Sequence, residues 1–252
     1  MNLLRPQKME EVKRVIQVGD IQSLRVLITP YNINVFIDGN TPLMWACRNN
    51  NGTPNNALII EHLLHFQPNL SMRVEGTIHQ TILIIAVEYG NVYAVRRLAP
   101  LSSSEDRYQA FVHASGLFSG GILQCFHEQL HVDVNVRAFG GVTAVMSAAS
   151  HNRIENVRYL CEHGANIHLL DDSGNNALTF AAIGWSIDIC KYLCARRILL
   201  HALPRPVYQN KHVLRQYSRT QVLALMYPGE FRRKITSEDI LRNILDILAG
   251  PK

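Results

Sequence analysis

His127-Glu128-Gln129-Leu130-His131 is the run in this 252-residue chain whose residue types and spacing match a hydrolytic metal site. On a helix, two imidazoles four positions apart stand one turn apart and suit zinc, with the intervening Glu placed to activate a bound water. A third ligand is needed, and the longer pattern that would supply it fails: Val134 and Arg137 stand where a Gly and a third His belong. Glu155 and Glu162 are carboxylates that could serve, yet both fall on the outward side of a later helix. Cys190 and Cys194, also one turn apart, lack a second pair nearby and suit core packing better than a metal. The chain has no Gly-rich Gly-Lys phosphate loop and no Gly-x-Ser-x-Gly elbow. No cofactor, metal or catalytic residue is therefore expected. A zinc-dependent hydrolase built on His127 and His131 stays as an alternative.

Whether that run is a site depends on the helix that must carry it, and helices here follow a recurring plan. Thr143-Ala144-Val145-Met146-Ser147-Ala148-Ala149 returns as Thr41-Pro42-Leu43-Met44-Trp45-Ala46, Thr81-Ile82-Leu83-Ile84-Ile85-Ala86 and Asn176-Ala177-Leu178-Thr179-Phe180-Ala181-Ala182. Thr143 and Asn176 are 33 positions apart. These segments resemble the Thr-Pro-Leu-His-x-Ala pattern of ankyrin repeats, whose period is about 33 residues. Asn152 to His168 is similar to the family's second helix and its closing Gly-Ala-Asp-Val-Asn, with Ile154, Val157, Leu160 and Cys161 on one face and Gly164 at the cap. The resemblance implies an all-α solenoid of six helix pairs, because a single pair cannot bury its own apolar face.

The expected array covers 1–197: an N-terminal cap over 8–34 and repeats over 36–71, 76–100, 104–135, 138–168 and 171–197. The first full repeat takes about five extra residues at Asn51 to Asn55, where Gly52 and Pro54 predict a loop. The 104–135 unit is the most degenerate, and it carries the His-Glu-x-x-His run at the end of its second helix. The remaining segment, 198–252, is not repeat-like. Pro204 and Pro206 break the chain, and Ile240, Leu241, Ile244, Leu245 and Leu248 predict an amphipathic helix that ends at Gly250-Pro251. That helix is expected to cap the last repeat near Ile187, Tyr192 and Leu193, Trp185 filling the junction; recruitment of a second protein is the alternative.

Residues from Arg196 onward hold eleven of the 25 Lys and Arg but four of the 20 Asp and Glu, so the net charge of +5 arises in the tail. A solvated cap accounts for this better than a nucleic-acid footprint, since Arg232-Arg233-Lys234 is the longest basic run. Five cysteines, an odd number with at least Cys161 and Cys190 on apolar helix positions, read as buried free thiols in a reducing compartment. No run approaches the ~20 apolar residues of a membrane span.

The resemblance implies a protein-binding module, with the partner on the concave face of the solenoid. Carried onto this chain, it selects Arg48, Asn49, Glu88, Tyr89, Ser150 and His151 on the first helices, and Asp38, Asn40, Phe139, Val142 and Asp172 at hairpin tips. Asn135 occupies the repeat position where Asn can be hydroxylated. The expected partner is another protein, not nucleic acid or membrane, bound by a monomer in the cytoplasm or nucleus, or in a host cytosol if the chain is a microbial effector.

Overall fold

The computed structural model describes residues 6–49, 55–77, 80–118, 120–184 and 186–195. Residues 51–54 of the loop expected at Asn51 to Asn55, the junction at Trp185 and the whole 198–252 extension lie outside them. The described architecture is all-α, with twelve α-helices and only isolated bridges, Ile37 to Asn40 and Arg73 to Thr81, as extended pairing. The described residues divide into two compact units, the first lying within 6–110 and 124–131, the second within 111–123 and 132–195.

In the first unit, α1 (Pro6–Val18) and α2 (Ile21–Leu27) form a pair, followed by α3 (Pro42–Arg48) with α4 (Asn56–His65) and α5 (Ile82–Glu88) with α6 (Val92–Leu98). The recurring motif is the start of a first helix. Thr41 and Thr81 have extended backbones, and their hydroxyls accept from the N–H of Met44 at 3.4 Å and of Ile84 at 3.2 Å, which satisfies one of the four orphan donors of each helix. Pro42 sits in the first turn, where its missing N–H costs nothing. Met44 bonds back through its sulfur to the Thr41 N–H at 3.4 Å. The motif's alanines, Ala46 and Ala86, are wholly buried, so their small side chains permit close helix contact. Leu43, Ile59, Leu63, Leu83, Ile85, Val95 and Leu98 are 0% exposed and form the core, each contributing on the order of 1.5–3 kcal/mol by leaving water.

The second unit repeats the plan in α9 (Ala144–Ser150) with α10 (Ile154–Glu162) and α11 (Ala177–Ile183) with α12 (Ile187–Ala195). Here Asn176 caps α11 through its Oδ1, 3.0 Å from the Thr179 N–H, and Ala148 and Ala181 take the buried alanine place. In chain order, α7 (Ser104–Ser115) and α8 (Gly120–Gln124) come between these two sets of helices, the latter continuing into a π-helical turn, Cys125–Gln129.

A ladder of side-chain amides links the helix ends. The last carbonyls of a first helix have no partner within the helix, and Asn or Ser at the start of a second helix supplies one. Asn56 Nδ2 donates to Ala46 O at 2.9 Å, and Asn91 Nδ2 donates to Cys47 O and to Asn56 Oδ1. Asn156 Nδ2 donates to Ser115 O and Leu117 O at 2.8 and 3.0 Å, and Ser186 Oγ to Ala149 O at 2.8 Å.

Candidate functional site

Arg48 is the last residue of α3 and Tyr89 follows the last residue of α5, so the stacking of consecutive first helices sets these side chains together. Arg48 Nη1 donates to Tyr89 Oη at 2.8 Å, and its guanidinium carbon lies 5.2 Å from the Tyr89 ring centre and 5.9 Å from that of Trp45. A further bond, Nε to Asn40 Oδ1 at 3.1 Å, fixes the plane of the guanidinium. Trp45 is held in turn by its indole N–H, which donates to Ile37 O at 2.9 Å, and Lys13 of α1 stands 4.8 Å over its ring. Lys13 is ion-paired with Asp38; the hydrogen bond to that carboxylate raises the ammonium pKa above its usual value. Lys13, Trp45, Arg48 and Tyr89 thus form a cation–aromatic strip across three successive first helices, Tyr89 being 42% exposed.

The other expected site residues have specific places. Asn49 gives its amide to Ile16 O at 2.9 Å and Gln17 O at 3.1 Å, holding the end of α1. Glu88 is exposed and accepts from Gln80 Nε2 at 2.9 Å. Asn40, expected at an exposed tip, is instead 6% exposed, because its side chain faces inward to bond Arg48 and Asp38 O. Asp38 is exposed, with a positive φ beside Gly39 in the tight turn closed by Ile37 and Asn40.

Within the second unit, Phe139 is 73% exposed on the tip Phe139–Gly141. Gly141 has φ +72°, and a Cβ there would sit 2.4 Å from both Asp172 Oδ1 and Arg137 Nη2, so the tip requires glycine. Asp172 is ion-paired with Arg137 at 3.1 Å, and its backbone N–H donates to Gly140 O. Val142 is half-buried. Ser150 and His151 close α9 by bonding Ser147 O, at 2.9 Å each. The amide of Asn135 bridges to the following hairpin: Nδ2 donates to Gly164 O at 3.1 Å and Oδ1 accepts from the Asn166 N–H at 2.6 Å. The first unit has a similar link, from the Asn69 N–H to Asn34 Oδ1.

The His-Glu-x-x-His run does not lie on one regular helix. Its helix has turned π-helical from Cys125 and ends at Gln129, and His131 has φ +51°. The two imidazoles therefore lack the i, i+4 register that zinc ligation by this motif uses. Among the described residues, no three His, Cys, Asp or Glu side chains converge as a metal site. Glu155 and Glu162 are exposed on α10. Cys47 and Cys125 are free thiols, and burial pushes the Cys47 thiol far above its ordinary pKa, which leaves it unreactive.

Two features escaped the sequence reading. Trp45 fills the variable place of its motif, and an indole there was the available signal. Phe118, 88% exposed after α7, has the Arg153 guanidinium 3.3 Å over its ring; that contact joins residues 35 apart and left no local trace.

Comparison with known families fits this geometry. A model of ankyrin repeats in three copies matches residues 113–201, and a model of the ankyrin repeat matches residues 38–73. This is an ankyrin repeat protein. The repeat class supports a role in protein–protein interaction. Among solved structures, a chain of the complex of the predatory endopeptidase Bd0816 from Bdellovibrio bacteriovorus with immunity protein Bd3460 is similar, with a TM-score of 0.58 and 21% identity over 73% of this chain and 97% of that one. At that identity the likeness is one of fold. Among the described residues, no helix of this ankyrin repeat protein is long and apolar enough to cross a membrane.

Proposed function

We propose that this protein is a non-enzymatic binding module that takes a partner protein on the first-helix face of its repeats, with Arg48 and Tyr89 at the centre of the contact. The observation that carries the reading is the direct Arg48–Tyr89 bond between successive repeats. It builds one ordered surface from two helices, out of the residue types that dominate binding energy at interfaces. Order matters because an already fixed Arg and Tyr lose little conformational entropy on binding. The fold of the similar solved chain occurs in a two-protein complex, which is the use proposed here.

Affinity capture with the full chain tests this. Tyr89→Ala is expected to weaken a captured partner by about thirty-fold, the size of an interface hot spot, with its melting temperature little changed. Equal capture by the intact chain and by Tyr89→Ala would sink the proposal. A version ending near Leu200 tells whether the partner needs the basic extension.

A further inference from the structure

We infer that the partner presents a carboxylate to Arg48, so that the segment docking on this face is an acidic stretch of protein. The inference rests on the binding face proposed above and adds its chemistry.

The contacts of Arg48 are all with neutral groups. Nε is bonded to the Asn40 amide oxygen, Nη1 to the Tyr89 hydroxyl, and the flat sides meet the rings of Trp45 and Tyr89. Among the described residues, no carboxylate stands within ion-pair distance of it. Two other arginines of the first unit differ: Arg97 bonds Glu61 through both Nε and Nη2, and Arg73 bonds Asp106 at 3.1 Å. A guanidinium has five N–H donors, so three of those on Arg48 remain without a hydrogen bond among the described residues. Nη2, with both its hydrogens, and the second hydrogen of Nη1 form the kind of edge that receives a planar pair of oxygens.

Half-burial raises the value of an opposite charge there, because the effective dielectric falls below that of water. Lys13, over the neighbouring Trp45, adds positive potential, although Asp38 offsets part of it. Glu88, next to Tyr89 in sequence, has one carboxylate oxygen bonded to Gln80 Nε2; it disfavours acid beyond Tyr89 and so sets the end of the acidic contact. The aromatic faces of Trp45 and Tyr89 flank the cation, which favours an apolar or aromatic residue beside the acid in the docking segment.

The probes are three pools of fluorescent ten-residue peptides with randomised flanks: one with Asp or Glu at the two central positions, its Asn or Gln twin, and a phosphoserine counterpart. Polarisation is measured with the full chain. The acidic pool is expected to bind at least ten-fold better than the amide twin, to weaken with added salt, and to lose that advantage with Arg48→Gln. Arg48→Lys is expected to recover it only in part, since an ammonium cannot offer the paired donors. Equal binding of acidic and amide pools, no binding of the acidic pool, or preference for phosphoserine would each overturn the inference, as would an Arg48→Gln chain that melts normally and still prefers the acidic pool. The two proposals separate cleanly. If Tyr89→Ala abolishes partner capture while Arg48→Gln leaves it intact, the face stands and the carboxylate does not; if neither variant alters capture, the face itself falls.

Discussion

The second helices of two neighbouring repeats end in opposite ways. In the better-formed repeat, α10 closes regularly: the Ala165 N–H donates to Leu160 O at 2.9 Å and Gly164 takes φ +87°. In the degenerate repeat, the helix after α8 widens to a π-turn, with the Leu130 N–H donating to Cys125 O at 3.1 Å, and the left-handed position falls on His131. The backbone thus needs the same reversal in both, but one sequence provides the residue for which that conformation is free and the other does not. A His-Glu-x-x-His spelling arises here at a strained helix end, which a motif search reads as chemistry.

The contrast is broken most strongly at Asn156, whose amide holds two carbonyls, of Ser115 and Leu117, in the turn between α7 and α8. Asn156→Ala leaves both without that donor and is expected to cost about 2 kcal/mol in a denaturant titration. A loss under 0.5 kcal/mol would show that the ladder of amides is incidental to stability.

The reciprocal caps come next. Nothing lies within 4 Å of a Cβ built on Gly164, so Gly164→Ala meets no obstruction and is expected to lose about 1 kcal/mol from its φ alone. His131→Gly is expected to gain roughly 0.5–1 kcal/mol, for the same reason with the sign reversed. Thermal melts of the two variants check this, and destabilisation by His131→Gly would mean that the imidazole has a role the backbone does not reveal.

A third second helix sharpens the picture with the smallest effect. α4 ends near Gln67 at φ +50°, and His62 on it is held below its ordinary pKa, by burial first and then by the charges of Arg25 and His65. A lowered folded-state pKa means that the unfolded chain takes up protons more readily as pH falls. Stability is therefore expected to be full above the ordinary His range and to decline as pH drops through it toward the lower folded value. His62→Phe should flatten that decline when the melting temperature is followed from pH 7.5 to 5, and an unchanged slope would place the titration elsewhere.

Much of the fold was legible because its determinants are local. The Thr caps, the buried alanines and Gly164 all act within one repeat, and the 33-residue interval from Thr143 to Asn176 repeats them audibly enough to count. What stayed hidden were contacts between repeats. Asn49, chosen as a surface residue from its place after the motif, bonds carbonyls 33 and 32 positions back, and Asn40 turned inward for Arg48, eight residues on. The strip was half-visible: Arg48 and Tyr89 came from the pattern, whereas Lys13 and Trp45 joined only through packing.

The amide ladder also sets rules for how such a chain can be lengthened or shortened. Asn91 belongs to one repeat, while the carbonyl of Cys47 that it completes belongs to the one before. An excision that runs from one such Asn to the next removes a donor together with its neighbour's demand for one, and leaves the new junction matched. An excision of more or less than a whole repeat strands acceptors on one side and donors on the other. Gain and loss of repeats over evolutionary time should therefore proceed by whole repeats, whatever the sequence between these asparagines.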